Sequence, residues 1–348
     1  MRFGHTADTH GGPYGQAVPD RERCAAFCEE LVREAVVAEE SGLDGVFVPE
    51  RHARTETMWP SPLTALLAMA MRTTRVALST HVLMPALYNP AHLAEDVAIL
   101  DLVSRGRLIL GVGTGYHPGY FAHFGEPFDQ RLGRFNEAME FLSKAWHGER
   151  FDWQGRYWNL KDVLVSPPPY QQDGPPVWYG ALADRAIVRA AEKADGIALL
   201  QFHTPLPEMR RRVDLYRTSA MRAGRTPVVS IELDGFVGTT RDHALETFGH
   251  LWVEEVRYYL RWGMIAPTDE VPDIEHATFE RLEPYMLLGD PKGCAERIVA
   301  YARALELRPE DWIILRPRLP FGPGHAEVLG SIERFGREVV PMVRGALD

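Results

Sequence analysis

Polar residues able to do chemistry collect where short apolar runs of this 348-residue chain end. Asp8 and His10 follow the first run, Glu50, Arg51 and His52 the second, and Thr80 and His81 close the third. Thr114, Tyr116 and His117 follow the fourth, Gly180-Ala181-Leu182-Ala183-Asp184 the fifth, Gln201, Phe202 and His203 the sixth, and Arg316 the last. Five of these residues are histidines, whose imidazole changes charge near neutral pH and can hold or move a proton. The competing reading is a histidine solvated in a loop or hydrogen-bonded at a rim. No His-x-His or His-Glu-x-x-His spacing provides a metal site, no Gly-x-Ser-x-Gly elbow a serine nucleophile, and there is no phosphate loop of the Gly-Lys-Ser/Thr type.

Two turns are more specific. Gly180 ends an apolar run and a helix opens near Ala183, so free backbone N–H groups at 180–183 make an anion site, with Arg185 adding charge. An ordinary tight turn is the alternative. The run Arg107-Leu-Ile-Leu-Gly-Val-Gly-Thr-Gly-Tyr116 ends in glycines that leave room for a flat ligand. Trp59, Tyr116, Tyr120, Phe121, Trp178, Tyr179 and Phe202 lie near the same ends, as walls of a pocket or as core.

The elements that must position these residues alternate. Strands are expected at 2–6, 45–48, 76–82, 108–110, 177–179, 196–200, 228–237 and 312–315. Helices are expected at 22–41, 61–72, 91–104, 135–146, 183–194, 206–223, 291–304 and 325–345. Gly42 stops the first helix, and Ser61 caps the second with Pro62 at its first position. Residues 151–158 read as a β-hairpin around Gln154-Gly155 after the fourth helix, and the prolines at 167–169 and 175–176 bracket a linker. Residues 242–286 read as a helical insertion over the mouth after the seventh strand, with Tyr258, Tyr259, Trp262 and Met264 as candidate lining. Eight strands alternating with eight helices specify an α/β fold, a (β/α)8 TIM barrel with two insertions, forming one domain over 1–348. Such barrels carry their active residues at the C-terminal ends of the strands. A doubly wound sheet is disfavoured because Ala7-Asp-Thr-His-Gly-Gly-Pro13 after the first strand is not a Gly-x-Gly-x-x-Gly turn.

Composition sets the wider bounds. Hydrophobic residues are 45% of the chain, enough for a large core, and the formal charge of −10 argues against nucleic acid or an anionic membrane as partner. Cys24, Cys28 and Cys294 are an odd count without framework spacing, as expected of a reducing compartment, and Cys24 and Cys28 read as core packing. No apolar run spans a bilayer and no signal peptide precedes the first strand, so a cytoplasmic protein is expected.

In order and spacing, several segments resemble the bacterial luciferase-like family of flavin-dependent oxidoreductases. They are Gly42-Leu-Asp-Gly-Val-Phe-Val-Pro-Glu-Arg-His52, Thr73-Thr-Arg-Val-Ala-Leu-Ser-Thr-His81, Asn89-Pro-Ala-His-Leu-Ala-Glu-Asp-Val-Ala-Ile-Leu-Asp101 and Ser104-Arg-Gly-Arg-Leu-Ile-Leu-Gly-Val-Gly-Thr-Gly-Tyr116, followed by Gly155-Arg-Tyr-Trp158, Pro176-Val-Trp-Tyr-Gly180 and Phe335-Gly-Arg-Glu-Val-Val-Pro341. The resemblance implies a flavin at the barrel mouth, held by Thr80, Thr114, Tyr116, the turn Gly180, Ala181, Leu182 and Ala183, and Arg185. It also implies a cis peptide at Thr80–His81 beneath the ring. The implied catalytic residues are His52, His81 and Arg51, the last standing where the family has its first catalytic histidine. His10, Phe202 and Arg316 are expected to face the substrate. Thr114 stands where luciferase uses a phosphate-binding arginine, and Gly180-Ala-Leu-Ala183 where it has a Gly-Gly-Ser-Ser type of turn.

The implied activity is that of a monooxygenase using reduced FMN from a separate flavin reductase, and O2, to oxygenate a small organic substrate. Hydride transfer with the deazaflavin coenzyme F420 is the alternative, because relatives that use it end the second strand in Asp-His-Phe rather than Glu-Arg-His. A non-catalytic flavin-binding relative is the third. A homodimer through the apolar face Leu63-Thr-Ala-Leu-Leu-Ala-Met69 is implied as well, unless that face covers the barrel itself.

Overall fold

A computed structural model of the chain describes residues 1–263 and 265–347; Met264, named above as pocket lining, lies outside them. Eight parallel strands close into a barrel: β1 (Arg2–Thr6), β2 (Gly45–Val48), β3 (Ala77–Thr80), β4 (Leu108–Val112), then, past the antiparallel hairpin β5 (Phe151–Gln154) and β6 (Asn159–Val163), β7 (Val177–Gly180), β8 (Gly196–Leu200), β9 (Val229–Val237) and, after the short β10 (Leu287–Gly289), β11 (Trp312–Arg316). Pairing of β11 with both β9 and β1 completes the circle. β10 was not anticipated: three residues carry no period. It forms because the nine-residue β9 outruns the barrel and offers its last three residues, Gly235–Val237, to Leu287–Gly289.

The helices pack outside. They are α1 (Arg21–Glu40), α2 (Pro62–Ala70), α3 (Pro90–Ser104), the short α4 (Pro118–His123), α5 (Arg131–Ala145), α6 (Asp184–Lys193), α7 (Leu206–Arg222), α8 (Arg241–Ala244), α9 (His250–Arg261), α10 (Phe279–Leu282), α11 (Pro291–Ala304), α12 (His325–Arg334) and α13 (Val340–Leu347). Local chemistry fixes several starts: Asp20, Asn89 and Asp290 accept the N–H of Arg23, Ala91 and Gly293. Ser61 precedes α2 but makes no capping bond, so Pro62 alone marks that start. Leu63, Ala65, Leu66 and Met69 are buried in the chain's own core, so much of the expected dimer face is already covered. Cys24 and Cys28 are half-buried rather than core.

The barrel interior has two levels. Below, Phe47, Ile109, Trp178, Trp312 and Ile314 form an apolar plug. Glycines opposite admit these side chains: a Cβ on Gly4 would lie 2.4 Å from the Phe47 ring, and one on Gly196 2.5 Å from the Trp178 ring. Above, toward the strand C-termini, Thr6, His81, Glu232 and Arg316 face one another.

The insertion after β9 is less helical than its sequence suggests. α8 passes through a wide turn at Leu245–Gly249 into α9, and residues 262–263 and 265–278 have no regular structure. Its Trp252, Val256 and Tyr259 pack with Phe202, Phe236 and Leu319 into a second core over the mouth. Among the described residues, no helix is long and apolar enough to cross a membrane.

Candidate functional site

A cavity of about 320 Å³ opens at the C-terminal mouth of the barrel. Val82 forms part of its wall. Gly113 and Gly180 are bare because Val82 lies against them: a Cβ on Gly113 would fall 2.7 Å from Val82 Cγ2, and one on Gly180 3.2 Å from it. The glycines therefore make room first for this valine, two residues beyond β3. The cis peptide expected at Thr80–His81 joins His81 and Val82 instead. Thr80 is also displaced from its expected role. Its hydroxyl donates to Gly111 O at 2.6 Å, and the side chain is buried between strands rather than in the cavity.

One end of the cavity meets the N-terminus of α6. Ala183 precedes the helix in extended conformation without a side-chain cap; its carbonyl takes the N–H of Ala186, and the N–H groups of Asp184 and Arg185 are left free. Gly180, Ala181, Leu182, Ala183 and Ala186 line this end. The expected cation Arg185 does not reach it and is exposed. Arg185 and Arg189 are four apart and so on nearly the same helix face, but Arg189, one turn further in, lines the cavity with Ala186, whereas Arg185, in the first turn, is exposed. Arg189 has a buried Nε with no hydrogen-bond partner.

The opposite end is polar and densely paired. Arg51 binds Asp8 with both amino groups, at 3.0 and 3.1 Å. Arg316 donates to Asp234 at 2.5 Å, Asp8 at 3.2 Å and Glu255 at 3.1 Å. Glu232 accepts from Thr6 Oγ1 at 2.5 Å and lies 3.2 Å from His81 Nδ1. Burial would raise the Asp8 carboxyl, but Arg51, His10 and Arg316 hold it well below the usual range. For Glu232 burial is likewise outweighed, by His81, Arg316 and Thr6, and the net shift is downward. For Asp234 and Glu255 burial prevails over Arg316, and both are raised. Glu255 comes from α9 and is also bonded by Tyr14, whose ring stacks on Tyr258 at 3.7 Å. The insertion is thus fastened to the barrel by ions as well as by apolar contact.

Arg51, His81, Thr114, Tyr116, Gly180, Ala181, Leu182, Ala183, Phe202 and Arg316 line the cavity. His52 and His10 do not. His10 is fully buried beside Asp8, 3.0 Å from Oδ1, and burial followed by Arg51 pushes its pKa down to about 3. His52 bonds Glu50 at 2.9 Å and faces a second cavity of about 460 Å³ outside β2, which shares Arg51 as a wall with the first. Tyr258 and Tyr259 lie at the mouth, and Trp262 is half exposed against His117.

Glu232, Asp234, Glu255, Arg189, Arg54 and Val82 are not among the candidates named from the sequence. Glu232 and Asp234 had a readable signal: Ser230-Ile-Glu-Leu-Asp234 alternates polar and apolar within an otherwise buried strand, which aims the acids inward. Glu255 had none, since its role depends on where the insertion folds.

Comparison with known proteins agrees with this architecture. A family model described as luciferase-like monooxygenase matches residues 1–306. The oxygenase component of the flavin-dependent trigonelline monooxygenase of Acinetobacter baylyi is 22% identical over 94% of this chain and 92% of its own. The F420-dependent glucose-6-phosphate dehydrogenase of Kineococcus radiotolerans is 32% identical over 65% of this chain and 70% of its own. The oxygenating constituent of 3,6-diketocamphane monooxygenase from Pseudomonas putida, solved with FMN, superposes with a TM-score of 0.80 at 20% identity, covering 99% of this chain and 98% of that one.

Proposed function

The chain belongs to the luciferase-like monooxygenase family, and from that premise we propose that it is the oxygenase component of a two-component system. In this reading it takes reduced FMN from a separate reductase and uses O2 to oxygenate a small organic substrate. The observation that carries the proposal is the polarity of the main cavity along its length. One end has a helix N-terminus and an arginine with an unpartnered Nε, the middle has Val82, and the other end has fixed polar groups. A phosphorylated flavin has the same order of parts.

The backbone N–H groups at 183–185 and the Arg189 guanidinium would hold the phosphate, with Thr114 and Tyr116 on the wall beside them. Val82 would underlie the ring. When bound, reduced FMN supplies the electrons that activate O2. The protein's part is to exclude water and hold protons. His81 is suited to the second task. Glu232 accepts from its Nδ1, which leaves Nε2, buried and without a protein partner, as an acceptor toward a ligand. Arg51 and Arg316, fixed by Asp8, Asp234 and Glu255, would form a rigid polar wall that cannot swing away.

A second reading, F420-dependent hydride transfer without O2, is favoured by the higher identity to the Kineococcus dehydrogenase. Anaerobic titration of the protein with each reduced cofactor, followed by fluorescence, separates them. Tight binding of reduced FMN, followed by O2 consumption, is expected. Tight F420 binding with none for FMN would replace the first reading by the second.

A further inference from the structure

The cavity outside β2 has a feature that flavin binding leaves unexplained. Arg54 lies on its wall, with a side chain only 5% exposed. The Tyr120 and Tyr258 rings lie 5.3 and 5.1 Å from the guanidinium carbon, and Nη2 donates to Tyr116 Oη at 3.2 Å. Nε and Nη1 are buried with no partner, and Glu56 Oε1, the nearest carboxylate oxygen, is 3.9 Å from Nη1, beyond hydrogen-bond reach. Thr57 Oγ1, on the same wall, is also buried and unpartnered. Ser61 lines the cavity at the N-terminus of α2, a nine-residue helix without a side-chain cap. A partly unpartnered buried guanidinium, a free hydroxyl and a helix N-terminus in one cavity all favour an anion. Pro60, Leu87 and Phe124 give the wall an apolar part, beside the polar Arg51, His52, Tyr88 and His123.

We propose that this second compartment holds the carboxylate of the substrate, so that the enzyme acts on organic acids with an apolar body. Arg54 and Thr57 would receive the carboxylate. The body would pass Arg51, the wall common to both cavities, toward the flavin. This rests on the reading of the main cavity as the flavin site.

Calorimetric titration of the full-length protein with benzoate and with benzamide, its uncharged isostere, tests the proposal. Benzoate is expected to bind about tenfold more tightly, with the preference falling as salt is added. Arg54→Met should abolish the preference, Arg54→Lys restore part of it, and Thr57→Val reduce benzoate affinity about threefold. Equal binding of benzoate and benzamide would mean that water alone satisfies Arg54, and would overturn the proposal. So would an unchanged preference in a folded Arg54→Met protein, judged by circular dichroism and its melting temperature. If Arg54→Met does not fold, the wild-type comparison and Thr57→Val decide. The same titrations in the presence and absence of FMN separate the two claims. A benzoate preference without flavin binding defeats only the flavin reading, and flavin binding without the preference defeats only this one.

Discussion

The barrel mouth contains arginines in two conditions. On the β11 side, Arg316 is saturated by Asp234, Asp8 and Glu255, and Arg51 is held by both oxygens of Asp8. On the β7 side, Arg189 presents a buried Nε to no protein acceptor. A buried guanidinium with all its acceptors supplied by the fold is part of the frame, and removing it strands carboxylates in low dielectric. One with an open N–H is stabilised only when something else arrives. Residue type is the same in both places, so stability and ligand affinity should respond in opposite ways to the same substitution.

The sharpest way to break this comparison is Arg316→Met. It leaves three buried carboxylates, Asp8, Asp234 and Glu255, without their shared cation. The expected loss is about 3–5 kcal/mol of unfolding free energy in urea at neutral pH. Without the cation, folded-state carboxyl pKa values rise, so the deficit should grow as pH rises and shrink toward acid. A loss under about 1 kcal/mol, flat with pH, would show that the network is not part of the frame.

Arg189→Ala should do the reverse. Stability should change little, while the dissociation constant for reduced FMN rises about 10- to 100-fold, the worth of a charge-assisted phosphate contact. Riboflavin, which lacks the phosphate, provides the control: its affinity should not change. An equal loss for both ligands would assign Arg189 to wall packing instead.

That contrast also marks what could be read from the chain. Alternation of apolar runs with helical periods located all eight barrel strands and put Arg51, His81, Thr114, Tyr116 and Arg316 at one mouth. The barrel rule needs only the order of elements. It could not separate neighbours in one loop. His52 follows Arg51 directly, yet turns to the second cavity, because Glu50, between Tyr88, Met84 N and His52, fixes the loop's direction. Nearness to the turn points to Arg185, but Arg189, one turn along the same face of α6, is the arginine on the cavity wall, and a spacing of four does not distinguish them. The acids that restrain Arg316 come from the loop after β1, from β9 and from α9, so no window of sequence contains the site.

His10 extends the comparison to pH. It is buried beside Asp8, with its pKa lowered to about 3, and stays neutral where an unfolded-chain histidine accepts a proton. Below the ordinary value near 6.5 the unfolded state therefore binds more protons, and folding stability falls with pH by up to about 1.4 kcal/mol per pH unit. Urea midpoints from pH 7 to 5 should decline in the wild type, with a shallower decline in His10→Gln. An identical slope in the two proteins would mean that His10 is charged when folded.

The smallest expected effect is also the most exacting. Arg185 lies four residues before Arg189 on α6, is exposed, and does not line the cavity. If charge near the helix N-terminus were all that attracted a phosphate, the two arginines would be nearly interchangeable, since both lie within a Debye length of the turn. If instead the contact requires an N–H inside the cavity, Arg185→Ala should shift reduced FMN affinity less than about twofold and stability by no more than about 0.5 kcal/mol. Measuring both variants at low and at high salt separates the two cases. A diffuse attraction fades with salt in both, whereas the defect of Arg189→Ala should persist because a contact shielded from solvent is weakly screened.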